Sequence, residues 1–176
     1  MRNRFWLVAG AVVVLDQLTK LWAVQALSLS DPSRPLIPGL ISLELVYNLG
    51  VAFGQLSGWG PVLVALSAAA CAAMIYYRAR VLRRAGTMHS LLSLGLALPL
   101  GGAVGNLLDR ARLGHVVDFI VLEFWPQFPR FNIADSAITV GAVLLAAYFV
   151  FVVEAEPRPE TEPAGAAPEA GSGQEA

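Results

Sequence analysis

The chain has 176 residues, 56% of them hydrophobic and only 14% charged, with a mean hydropathy of +0.61 and a formal net charge of −1. A soluble domain of this size has no way to hide so much apolar surface, so the composition excludes an ordinary water-soluble globule and indicates a membrane protein. One cysteine excludes a disulfide framework or a cysteine-based metal site, and no basic stripe interleaved with aromatics speaks for nucleic acid.

Four apolar runs follow one another: residues 5–27, 61–77, 90–108 and 136–153. Each approaches the roughly 20 helical residues needed to cross about 30 Å of hydrocarbon. Backbone groups inside lipid must pair internally, so the runs are predicted to be α-helices. The first run also has a feature of a cleaved signal peptide, with Arg2 and Arg4 ahead of it and Val24-Gln25-Ala26 near its end. It continues well past Asp16, however, and three further spans follow, which favours a retained first span. Asp16 and Lys20 interrupt it one helical turn apart, a spacing that allows an ion pair; alternatively Lys20 snorkels toward the membrane surface.

Ser30-Asp31-Pro32 and Ile37-Pro38-Gly39 are turn signals. Between the second turn and Asn48, apolar residues alternate, so that Ile41, Leu43, Leu45 and Tyr47 are expected on one face of a strand and Ser42 and Glu44 on the other. Gly50, Gly54, Gly58 and Gly60 rule out a continuous helix up to the second span. A small sheet at the membrane surface is expected, either a cap for helix ends or a cradle for an extended peptide. Cys71 lies mid-span and reads as a packing residue.

Arginines then set the orientation. Arg2 and Arg4 precede span one, while Arg78, Arg80, Arg83 and Arg84 lie between spans two and three, which predicts cytoplasmic termini. At the far end of the third span, Asn106, Asp109 and Arg110 share a face, with Gly101, Gly102 and Gly105 upstream to allow close helix packing. Asp109 with Arg110, and Asp16 with Lys20, could form a purely structural network. The segment from His115 to Glu123 again has period two, leaving Asp118 among branched apolar neighbours, and Trp-Pro-Gln-Phe-Pro suits the headgroup level. Asn132 three residues before Asp135 resembles a capping box at the start of the fourth span. Residues 154–176 hold six glutamates and one arginine among Pro, Ala and Gly, and are expected to be a disordered cytoplasmic tail. Without them the balance is eleven basic against seven acidic, or +4.

Asp118 and Asp135 both fall near the outer membrane boundary. If they meet, they cannot both ionise cheaply and would share a proton, the arrangement of an aspartic protease. No HExxH and no phosphate loop is present, and a Ser136–His115 pair lacks any supporting motif.

"DQLTK" at 16–20, "NLGVAFG" at 48–54, "GNLLDR" at 105–110, "VVDF" at 116–119 and "FNIADS" at 131–136 follow in order. With them the chain resembles lipoprotein signal peptidase, the signal peptidase II family. The resemblance implies a bacterial inner-membrane aspartic endopeptidase acting near the extracytoplasmic face. Its substrates would be diacylglyceryl prolipoproteins, cut ahead of the lipidated cysteine, and it would need neither metal nor cofactor. It further implies catalytic roles for Asp118 and Asp135. Asn106, Arg110 and Asn132 would position substrate and support the dyad; Asp109 also belongs to the polar site. Asp16 and Lys20 would brace the first helix, and Asn48 and Gly54 would belong to the cradle loop. Residues 1–153 would then be one four-span peptidase domain, a monomeric all-α bundle with a small extracytoplasmic sheet, in contact with membrane lipids. The alternatives are a small transporter using Asp16 or Asp135 for proton coupling, and a purely structural scaffold.

Overall fold

The computed structural model describes residues 2–50 and 59–153. The residues 51–58, with Gly54, and 154–176, the expected tail, lie outside the described residues. Four long helices, α1 (Arg2–Ala26), α2 (Gly60–Ala85), α3 (Ser90–Leu113) and α4 (Ile133–Tyr148), carry the apolar runs. A π-helical turn, Phe149–Val153, extends the last. Each is long and apolar enough to cross a membrane. Two extend beyond the apolar cores that hydropathy marks: α2 continues past Tyr77 to Ala85 with four arginines, and α3 past Leu108 to Leu113. Charged residues at a helix end stay helical because they reach water without leaving the ladder.

Burial is inverted relative to a soluble fold. Leu7 is 69% exposed and Phe151 74%, whereas Asp16 and Asn132 are fully buried and Lys20, Asp109 and Asp118 nearly so. α3 is the central helix and packs on all three others. Its glycines permit this: a Cβ on Gly102 would run into the Ala134 carbonyl, and one on Gly105 would lie 2.5 Å from Asp16 Oδ2. One apolar cluster (Phe5, Ala9, Cys71, Leu92, Leu96, Leu100) joins α1, α2 and α3, and Cys71 is a packing residue within it. A second (Ala23, Leu27, Leu45, Val117, Phe119) glues a sheet to the other end of α1.

That sheet has three antiparallel strands in the order β1 (Arg34–Ile37), β2 (Ile41–Asn48) and β3 (Val116–Leu122). The turn expected at Ile37-Pro38-Gly39 separates β1 from β2, with Gly39 at φ 77°. Gly114, left-handed at φ 77°, ends α3 and turns the chain into β3. β2 corrects the sequence pattern. Ile41 pairs with Leu122 and Leu43 with Ile120, but Val46 pairs with Asp118 and Asn48 with Val116, so a bulge lies between Leu43 and Val46. The extra residue reverses the alternation. Leu45 and Tyr47 therefore do not continue the face of Ile41 and Leu43; Leu45 enters the second cluster, and Val46 and Asn48 turn onto the Asp118 face. On its other edge β3 receives Phe131, whose N–H and C=O bond Ile120 at 3.1 and 2.9 Å. The next residue, Asn132, is thereby delivered beside Asp118.

Candidate active site

Asp118 comes from β3 and Asp135 from the first turn of α4, and one cleft of about 340 Å³ is lined by both. Asn132 links them. As N-cap of α4 its Oδ1 accepts the Asp135 N–H at 2.9 Å, and Asp135 Oδ2 returns the bond to the Asn132 N–H at 3.3 Å. This is the expected capping box. With its oxygen so engaged, the Asn132 amide must turn Nδ2 the other way, where it donates to Asp118 Oδ1 at 2.7 Å. The cap that starts the helix thus also holds the opposite carboxylate.

Asp118 Oδ2 accepts from Asn48 Nδ2 at 2.9 Å, a contact that exists because the bulge turned Asn48 inward. Burial, with the Asp135 charge second, lifts the Asp118 carboxyl from 3.8 to about 7; the bonds from Asn48 and Asn132 and the Lys20 charge pull it back only partly.

Behind the two acids lies a second polar layer. Asn106 Nδ2 donates to Asp135 Oδ1 at 2.8 Å, and its Oδ1 accepts from Lys20 Nζ at 2.8 Å. An ammonium only donates, so Lys20 fixes which end of the Asn106 amide faces Asp135. Lys20 also contacts Asp16 and Asp109, each at 2.8 Å, with all three side chains buried. The expected i, i+4 pair is therefore present, while the suggested Asp109–Arg110 pair gives way to Asp109–Lys20. Arg110 instead reaches the Gly50 carbonyl at 2.9 Å. Asp16 and Asp109 also bind backbone, accepting from Ala134 N at 2.9 Å and Val117 N at 3.2 Å. The one layer ties α1, α3, β3 and α4 to the site.

Asp16, Lys20, Asn48, Asn106, Asp109, Asn132 and the two candidate acids therefore form one connected network, with Arg110 on the cleft wall. Asn48 belongs to a strand end rather than to a free loop. Ser136 and His115 do not make a pair: the Ser136 hydroxyl donates to the Asn132 carbonyl at 2.9 Å, and His115 stacks on Tyr47 with ring centroids 4.3 Å apart. Two features escaped sequence reasoning. Gln17 bridges the Asp109 carboxylate (2.9 Å) and Arg112 (3.2 Å). Arg130, on the cleft wall, binds both Glu44 oxygens at 3.0 and 3.1 Å, pinning the segment before α4 to β2. Gln17 stood in the open, as the second residue of "DQLTK", whereas neither Arg130 nor Glu44 stands in any motif. Among the described residues no group of His, Cys, Asp and Glu could hold a metal.

Four apolar helices, a sheet across one end and a cleft lined by one buried and one half-buried carboxylate define a multi-pass membrane protein with a candidate acid–base site. The family model for signal peptidase (SPase) II matches residues 8–151, and the chain belongs to that family of membrane proteases. It is 43% identical over 147 residues to the lipoprotein signal peptidase of Symbiobacterium thermophilum, spanning 82% of this chain and 93% of that one. It is 47% identical over 140 residues to the lipoprotein signal peptidase of Pseudomonas putida, spanning 77% and 80%. Two bacterial membrane enzymes solved by the in meso method share the fold. One has a TM-score of 0.79 at 28% identity over 91% of this chain and 95% of that chain; the other has 0.74 at 30% over 85% and 94%.

Proposed function

We propose that residues 1–153 form a single aspartic endopeptidase domain in a bacterial cytoplasmic membrane, with both termini cytoplasmic and the cleft near the extracytoplasmic face. Its substrates are lipoprotein precursors, as the name of the relatives suggests, and in this reading they carry a diacylglyceryl cysteine and are cut N-terminal to it. The distribution of Arg2, Arg4, Arg78, Arg80, Arg83 and Arg84 at the end away from the sheet supports this orientation.

The observation that carries the reading is the sharing of Asn132 by Asp118 and Asp135 in one cleft, with the buried Asp118 carboxyl lifted to about 7. Two acids so coupled hold one proton between them at neutral pH. The ionised member takes a proton from water, whose oxygen attacks the scissile carbonyl carbon. The protonated member gives its proton to the carbonyl oxygen, forming a neutral gem-diol. As the C–N bond breaks, a proton passes to the departing amine and the acid is restored. Asn48, Asn106 and Asn132 keep the carboxylates aimed, Arg110 and the cradle with Gly54 position the substrate backbone, and the Asp16–Lys20–Asp109 cluster braces the helices behind them.

The test is cleavage of a diacylglyceryl prolipopeptide by purified protein. Asp118→Asn and Asp135→Asn should each remain folded and membrane-inserted yet lose turnover. Substantial cleavage by either variant would remove the dyad, and solute uptake without proteolysis would favour the transporter.

A further inference from the structure

A second cleft, of about 570 Å³, opens at the end of the bundle away from the sheet. Phe5 at its wall precedes Asp16 by eleven residues on α1, about 16 Å along the axis. The volume falls in the range of small-molecule sites. α1 contributes Arg4, Phe5 and Leu7, α2 contributes Arg78 and Leu82, and the start of α3 contributes Leu94. Its walls are mostly hydrocarbon, with Thr87, Ser90 and Ser93 among the lining, and its head is cationic. The Arg78 guanidinium lies 4.4 Å from the Phe5 ring centroid and 5.2 Å from that of Trp6, and the residue is only 8% exposed. Stacking fixes its plane, so less freedom is lost when the fork engages an anion. Arg4 lies exposed at the rim.

A planar cation over a greasy slot, set between helices long and apolar enough to cross a membrane, matches a ligand with an anionic head and an aliphatic tail. Basic pockets between membrane helices bind lipid headgroups in this way. We propose that this cleft holds an anionic phospholipid, with its phosphate between Arg4 and Arg78 and an acyl chain along Phe5, Leu7, Leu82 and Leu94. The competing occupant is the chain's own 154–176, which follows α4 at this end, where Tyr148 meets His89 at 5.5 Å. Its six glutamates match the charge, but its apolar residues are only alanine, proline and glycine, too small to fill the walls. The lipid satisfies both ends of the cleft.

The full chain, reconstituted in nanodiscs of phosphatidylglycerol and phosphatidylcholine in equal parts with matched acyl chains, is extracted and its retained lipids are counted by native mass spectrometry. Phosphatidylglycerol should dominate. Arg4→Gln and Arg78→Gln should each lower its preference about fivefold, the contribution of one basic side chain at an anionic surface. The paired variant should show none. Because Arg78 packs on Phe5, its replacement could unfold the chain; exposed Arg4 carries the test independently. Leu94→Trp, which fills the slot without altering charge, should reduce retention of both lipids. Equal retention of the two lipids by the unaltered protein overturns the proposal. So does a loss as large in the Arg83→Gln/Arg84→Gln variant, which would mean diffuse attraction. A preference that emerges only after 154–176 are removed assigns the cleft to the tail and also overturns it.

Discussion

Replacing Asp118 with Asn should change how the stability of the protein depends on pH. Below 3.8 the carboxyl is protonated whether the chain is folded or not, and the buried site carries no penalty. Between that value and about 7 the unfolded chain releases the proton while the folded chain keeps it. The folded state then binds more protons, so stability falls as pH rises, and the loss is complete above about 7. A carboxyl lifted from 3.8 to about 7, at 1.36 kcal/mol for each tenfold change, loses roughly 4 kcal/mol across that interval. An amide cannot titrate, so the curve of the Asp118→Asn variant should lack this fall. The absolute offset depends on how the introduced amide meets two donors, Asn48 and Asn132, so the difference in slope is the diagnostic quantity. Tryptophan fluorescence during denaturation in mixed micelles, from pH 4 to pH 8, measures both curves. Because the two acids are coupled, the difference belongs to the pair. Parallel curves would refute the claim that burial and Asp135 hold a proton on Asp118.

Three other outcomes follow from the geometry. Asn48→Ala removes a bond that favours ionised Asp118, so the alkaline limb of the cleavage profile should move to higher pH; a downward move contradicts the assigned bond. Gly105→Ala puts a Cβ against the Asp16 carboxylate and should lower stability by about 1–3 kcal/mol with loss of cleavage, whereas Gly10→Ala, with nothing near its Cβ, should fold and cleave normally; both are read by thermal melting and peptide cleavage. Lys20→Gln leaves Asp16 and Asp109 buried without their cation and should destabilise the fold by roughly 3–5 kcal/mol, seen as a lowered denaturation midpoint.

The helices were legible because lipid imposes a length and a composition that no other environment demands. The Asn132–Asp135 cap was legible because both partners lie within one turn of sequence. The contacts of Lys20 with Asp109 and Asn106 were not, since they join residues 86 and more apart and depend on how closely α3 approaches α1. Local spacing suggested Asp109 with Arg110; proximity along the chain lost to a cation already buried between two acids. The strand pattern failed for a related reason. Period two assumes an unbroken ladder, and nothing in "LISLELVYN" marks where an additional residue will be accommodated. Glu44 and Arg130 lie in unrelated segments, and only the docking of Phe131 on β3 brings them together.

The extra residue in β2 lets one strand serve two faces: ahead of it Ile41 and Leu43 stand opposite Leu122 and Ile120, and beyond it Val46 and Asn48, of the other parity, stand opposite Asp118 and Val116. Paired straight at its present length, the ribbon would carry Leu45 to Asp118 and turn Asn48 to the opposite surface. Excising Glu44 or Leu45 would remove the surplus without shifting anything downstream, so Asn48 would keep its aim. The losses would be local: the clasp on Arg130 in the first case, the anchor in the apolar cluster in the second.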